Sequence, residues 1–171
     1  MTPRVLVAGI GNIFLGDDGF GVEVARRLSY VELPDGVQVA DYGISGMHLA
    51  YDLTDGFDTV IMVDALCRNE EPGTLFVLQV GRDQFGSPGG QLDAHGMQPA
   101  AVLGLLDMLG GEAGRVLVVG CEPESVEDGI GLSVAVSAAL DKAVELVSEL
   151  AEESCGVATA SRATRTATGR R

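Results

Sequence analysis

Four side chains in this chain could do chemistry together. Asp17 and Asp18 stand side by side in the glycine-rich stretch GNIFLGDDGFG. Asp64 closes the apolar run Thr59–Val63, and His95, one of only two histidines, lies in GGQLDAHGM. Carboxylate oxygens and an imidazole nitrogen suit a borderline first-row divalent ion with open coordination positions. Donor type alone does not choose among nickel, zinc, cobalt and manganese. The simpler reading of Asp17 and Asp18 is helix capping, since an acid just before a helix satisfies free N–H groups and suits the dipole. Two acids together imply a division of labour, one capping and Asp18 left to cap or to bind metal. Asp64 is read as an exposed strand-end residue at the mouth of the sheet. His48, following Met47 on a predicted helix, is read as structural and His95 as a ligand.

Other chemistries are poorly supported. GIGN starts like a dinucleotide turn, but Phe14 stands where the third glycine belongs. Asp41 ends the second strand too far on to act as the ribose acid. Gly43-Ile44-Ser45-Gly46 is not a nucleophile elbow, because Met47 occupies the final glycine position. There is no P-loop and no HExxH. Cys67 paired with His95 is the one remaining nucleophilic arrangement. The three cysteines (Cys67, Cys121 and Cys155) lack metal or disulfide spacing and read as free thiols in a reducing compartment.

These residues need elements to position them. Strands are expected near Arg4–Ile10, Val37–Tyr42, Thr59–Ala65, Gly73–Val80 and Arg115–Cys121. Helices are expected over Gly21–Ser29, Met47–Leu53, Met97–Leu109 and Leu132–Glu152. The first, third and fifth strands are apolar nearly throughout, as when helices cover both faces of a sheet. The expected fold is a single α/β domain: a mostly parallel, doubly wound, five-stranded sheet with one antiparallel edge strand and helices on both faces. The fourth strand is the antiparallel one, because Leu66 to Pro72 is too short for a crossover helix. In such a sheet the first and third strands flank the switch point, which brings Asp18 and Asp64 together, with the His95 loop over the same mouth.

The formal charge of the 171-residue chain is −14. Four of its eleven Lys/Arg residues lie in 155–171, which has no acid; the other seven face all twenty-five acids, a net −18. Such a body repels nucleic acid and anionic membrane and attracts cations or a basic partner. Residues 1–154 form the expected domain. Residues 155–171, poor in large apolar residues, form an expected disordered arginine-containing tail. No apolar run approaches the ~20 residues of a membrane span. Met1-Thr2-Pro3-Arg4 leads straight into a strand, so the expected location is cytoplasmic.

Over roughly residues 4 to 150 the chain resembles the nickel–iron hydrogenase maturation endopeptidases. The pieces occur in order: GIGNIFLGDDGFGV, DYGISGM, VDAL, AHGM and VGCEPESVEDGIGLS. The resemblance implies an endopeptidase that removes the carboxyl-terminal extension of the hydrogenase large-subunit precursor after nickel insertion. It implies Asp18, Asp64 and His95 as the metal contacts, acting on nickel that the substrate supplies, with Asp41 and Gly43 of DYG at the substrate cleft. No organic cofactor, nucleic acid or membrane is implied. Two positions depart from the family's pattern: Asp93 stands two places before His95, where a hydroxyl residue is frequent, and Cys121 stands where aliphatics are frequent. Two rival functions use the same ligands, a protein that holds a metallated partner without cutting it and a small-molecule metallohydrolase.

Overall fold

The computed structural model describes residues 2–81 and 99–156. Its strands are β1 (Val5–Ile10), β2 (Val37–Gly43), β3 (Thr59–Ala65), β4 (Leu75–Val80) and β5 (Arg115–Cys121). Its helices are α1 (Phe20–Leu28), α2 (Gly46–Leu53), α3 (Pro99–Met108) and α4 (Val134–Ser154). The strands form one sheet in the order β2-β1-β3-β5-β4. All neighbours are parallel except β4, which runs antiparallel to β5 and forms an edge. This is the expected doubly wound sheet, with β1 and β3 adjacent at its centre.

The apolar runs are fully apolar because each strand serves two cores. In β1, Val5 and Val7 pack toward α1 and α4, among Phe20, Val24, Leu140 and Val147. Leu6, Ala8 and Ile10 point the other way, among Leu49, Leu53, Val102 and Leu106 of α2 and α3. Successive side chains of a strand alternate faces, so a strand covered on both sides is apolar along its middle; in β3 the polar Thr59 and Asp64 stand toward its two ends. The two edge strands are only half-buried, and β2 and β4 accordingly carry polar residues among their apolar ones.

Two local features depart from the expected elements. A 3₁₀ turn, Gly16–Gly19, precedes α1 and contains both Asp17 and Asp18. One such turn is too short to leave a periodic signal. β2 carries a bulge beside β1: Gly9 pairs with Asp41, but Ile10 pairs with Gly43, so Tyr42 is the extra residue. The last helix continues to Ser154, Cys155 packs against the core, and Gly156 follows with a φ of 71°. Glycine in that left-handed conformation is a common way to end a helix. No helix among the described residues is long and apolar enough to cross a membrane.

Candidate functional site

The site is built where β1 and β3 end. After Ile10 the backbone turns at Gly11, whose φ is 141°, and doubles back so closely that a Cβ there would lie 1.8 Å from the Asp18 carbonyl oxygen. The Asn12 N–H donates to Asp18 Oδ2 at 2.9 Å, which fixes the carboxylate over the strand end. α1 then starts in the crotch between the two strands. A Cβ at Gly21 would lie 2.0 Å from the Val63 carbonyl oxygen and 2.3 Å from that of Ile10. Only glycine at these two positions lets the Asp17-Asp18 turn sit directly above the end of β3.

Asp18 and Asp64 therefore meet, and both are buried, at 5% and 4% exposure. Asp64 is not the exposed strand-end residue expected from the sequence, because α1 and its preceding turn close over the end of β3. Burial pushes the Asp64 carboxyl well above its ordinary range; the neighbouring Asp18 charge pushes it further, and a backbone hydrogen bond from Ala65 only partly opposes them. Two carboxylates brought together out of water repel one another, and a cation between them removes that cost. The donor chemistry thus fits a divalent metal ion. Among the described residues, no three His, Cys, Asp or Glu side chains form a group that could hold a metal by themselves. His95 and Asp93 lie outside the described residues.

Asp17 does the other half of the expected division of labour, but not by capping α1. The N-cap of α1 is Gly19, and no side chain caps it. Asp17 instead accepts backbone hydrogen bonds from Glu124 (2.8 Å), Ser125 (3.2 Å) and Ser133 (2.7 Å). Ser133 in turn caps α4, its Oγ accepting from the Val136 N–H. One carboxylate thus ties the loop after β5, and the start of α4, to the turn that carries Asp18. The sequence reading missed this because the partners lie more than a hundred residues away.

Asp41 and Gly43 flank the bulge of β2, two strands over from Asp64 with β1 between. Asp41 is exposed, and its Oδ1 accepts the Gly43 N–H at 2.8 Å. Gly43 holds a φ of 53°, and its carbonyl accepts the Gly11 N–H at 2.9 Å. Tyr42 reaches the other way, its hydroxyl donating to Asp52 of α2 at 2.8 Å. The bulge thus leaves Asp41 on the open rim while Tyr42 pins the strand end to α2.

The remaining candidates fall away from this centre. His48 is exposed on α2, one position off the buried stripe of Leu49, Ala50 and Leu53, so it is not a packed core histidine. Cys67 is exposed on the β3–β4 connection. Cys121 belongs to the core on the α1 and α4 side. Burial first, then the charges of Asp17 and Glu122, push its thiol up to about 12, so without a metal it stays protonated at neutral pH. One buried acid was overlooked: Glu122, just past the end of β5, accepts the Arg68 N–H at 2.6 Å and anchors that connection.

A doubly wound α/β domain with a buried carboxylate pair at its switch point has the architecture of a ligand-binding or catalytic protein. The comparisons give the particular family. Residues 22–150 match the model of the HycI family of hydrogenase maturation proteases, and the chain belongs to that family. It is 36% identical to the hydrogenase 2 maturation protease of Escherichia coli K12, over 88% of this chain and 92% of that protein. It is 32% identical to the hydrogenase expression/formation protein HupD of Rhizobium leguminosarum bv. viciae, over 84% of this chain and 72% of the other. Among solved structures, the hydrogenase maturating endopeptidase HybD from E. coli superposes with a TM-score of 0.73. It is 32% identical, over 88% of this chain and 93% of that one. The [NiFe] hydrogenase maturation protease HycI from Thermococcus kodakarensis KOD1 gives 0.72 at 25% identity, over 88% and 94%. The chain is a hydrolase of the peptidase class that serves hydrogenase maturation.

Proposed function

We infer that this protease removes the carboxyl-terminal extension of a nickel–iron hydrogenase large-subunit precursor once nickel has been inserted, and that it recognises the nickel held by that precursor. The buried Asp18–Asp64 pair carries the reading. It is a preformed, electron-rich pair whose mutual repulsion a bound cation relieves. His95 is the third contact in this reading; it stands shortly before α3 in the sequence. Asp41 and Gly43, on the rim of the same strand ends, contact the precursor chain. Asp18, Asp64 and His95 dock the precursor's nickel, and docking fixes the neighbouring peptide bond over the cleft. The metal then polarises the scissile carbonyl or lowers the pKa of an attacking water. Hydrolysis adds that water across the bond, giving a new carboxylate on the mature subunit and a free amine on the released extension. The reaction belongs where the precursor is assembled, in the cytoplasm.

Soft thiolates on the precursor hold nickel far better than two carboxylates and an imidazole do. Metal-free enzyme mixed with nickel-loaded precursor is therefore expected to cut at full rate, and precursor lacking nickel is expected to stay intact. The mass of the product reports both. Equal cutting of loaded and empty precursor overturns recognition through nickel while leaving the protease assignment in place. A requirement to preload the enzyme with metal points instead to an ordinary metallohydrolase.

A further inference from the structure

Among the described residues, half of the exposed large apolar side chains gather around the mouth of the sheet. Ile13 and Phe14 follow β1, Ile44 and Met47 follow β2, and Ile130 and Val134 follow β5. Phe14 is 61% exposed and Ile130 81%. The backbones of the loop after β1 and the loop after β5 are nonetheless tied together. The Phe14 N–H donates to Asn12 Oδ1, the Gly129 N–H donates to the Phe14 carbonyl, and the Gly16 N–H donates to the Gly129 carbonyl. Asp17 locks the same two loops through its main-chain N–H to Ser125 and through its three side-chain bonds. Between the loops lies an open cleft of about 330 Å³ lined by Ile13, Val22, Ile130, Leu132 and Leu140. Gly16 and Gly19, the ends of the turn that carries Asp18, form one wall of it.

An exposed apolar patch on a rigid frame is a mark of an interaction surface, and fixed aromatic side chains lose little entropy on binding. The charge around the patch says what kind of partner fits. Residues 11–19, 41–48 and 122–133 contain no Lys or Arg. Asp41, Glu124, Glu127 and Asp128 are exposed there. Arg27, which reaches the far end of the cleft, is already paired with Glu23 and Asp141.

We propose that the cleft between the Asp18 turn and the loop after β5 docks an apolar, basic-flanked segment of the nickel-loaded large-subunit precursor, anchored by Ile130, which lines the cleft, and by exposed Phe14, next to the cleft-lining Ile13. This rests on the reading of the protein as the enzyme that processes that precursor. Apolar side chains of the segment fill the cleft, its basic residues face Glu124, Glu127 and Asp128, and seating it there brings the nickel over Asp18 and Asp64. Docking and metal capture then lie on opposite sides of one short turn, which makes recognition bidentate.

The test measures binding and cleavage of nickel-loaded precursor by the full-length protein in parallel. Phe14→Ser and Ile130→Ser are each expected to weaken binding and raise KM by about tenfold while kcat stays within about twofold. Glu127→Lys combined with Asp128→Lys is expected to weaken binding and to flatten its salt dependence. Met108→Ser, on an exposed residue at the other end of α3, is expected to change neither. Thermal melts of the variants check that each remains folded. Binding of both serine variants within about twofold of wild type overturns the docking groove, and so does a wild type that binds no loaded precursor. A dimer that Phe14→Ser dissociates, with precursor binding unchanged, also overturns it, because the patch then seats a second copy. A wild type that binds normally but never cuts sinks the protease reading and leaves the groove standing.

Discussion

Asp17 and Asp18 are neighbours in one turn, both almost wholly buried, and they live in opposite environments. The Asp17 carboxylate is surrounded by N–H groups from the loop after β5 and from the start of α4. Asp18 has the Asn12 N–H and, facing it, a second carboxylate, Asp64, whose proton affinity it raises. Burial alone therefore says nothing about function. A buried charge whose partners compensate it is architecture, whereas a buried pair of like charges is held there at a cost, and such costs collect at functional sites.

The largest effect separates the two roles at Asp64. Asp64→Asn keeps shape and removes the charge a cation needs, so cleavage of nickel-loaded precursor is expected to fall almost to nothing. Stability should move the other way. The folded-state pKa lies above the unfolded one, so the stability this group contributes is fully present below about pH 4 and is lost as pH rises through the folded value. At neutral pH the metal-free variant is then expected to melt above wild type, and the gap should close as pH is lowered. For a chain of this size each kcal/mol relieved raises Tm by about 2–4 °C. A variant that cuts at the normal rate removes Asp64 from the site. A variant that unfolds makes it a structural anchor.

The reverse pattern is expected at Asp17. Asp17→Ala deprives three backbone N–H groups of their buried carboxylate acceptor, at an expected loss of about 3–5 kcal/mol in urea unfolding. Asp17→Asn keeps an acceptor oxygen and should recover part of that loss. A change below about 1 kcal/mol for the alanine variant would mean that the two loops hold each other without the carboxylate.

Cys121 offers a smaller check on the boundary between architecture and site. Its thiol, pushed up to about 12 and packed in the core, should resist iodoacetamide at mildly alkaline pH while exposed Cys67 is labelled. Equal labelling of the two in folded protein would take Cys121 out of the core and reopen it as a metal contact. The smallest effect is expected at the end of the chain. Deleting everything after Gly156 should leave Tm and cleavage nearly unchanged, because residues 157–171 have few large apolar side chains to pack. A drop in precursor affinity that returns with Arg162 and Arg165 would turn that segment into a docking arm.

Much of the frame was legible from one sequence. Apolar runs such as Val60–Val63 and Val116–Val119 read as doubly covered strands and are buried on both faces. The short connection from β3 to β4 dictated the antiparallel edge. These readings work because strand length, periodicity and loop length are local quantities. The carboxylates were legible as a set but not in their roles. Asp17 seemed a helix cap because capping is the local use of such a residue; its partners, Glu124, Ser125 and Ser133, are adjacent only in space. His48 seemed structural from its helix, and the phase of α2 turned it outward.

The sequence by itself thus determined the order of strands and helices, the edge strand and the family resemblance, and it singled out the acids at the strand ends, all carried by neighbouring residues or by motifs read in order. Tertiary structure alone decided how deeply Asp64 is buried, that Asp18 rather than Asp17 faces it, and that Asp17 joins two loops. It also decided that Ile13 and Ile130 line one cleft. The reason is that charge, burial and repulsion depend on distances between residues far apart in the chain, and packing α1 into the crotch of β1 and β3 through Gly11 and Gly21 sets those distances.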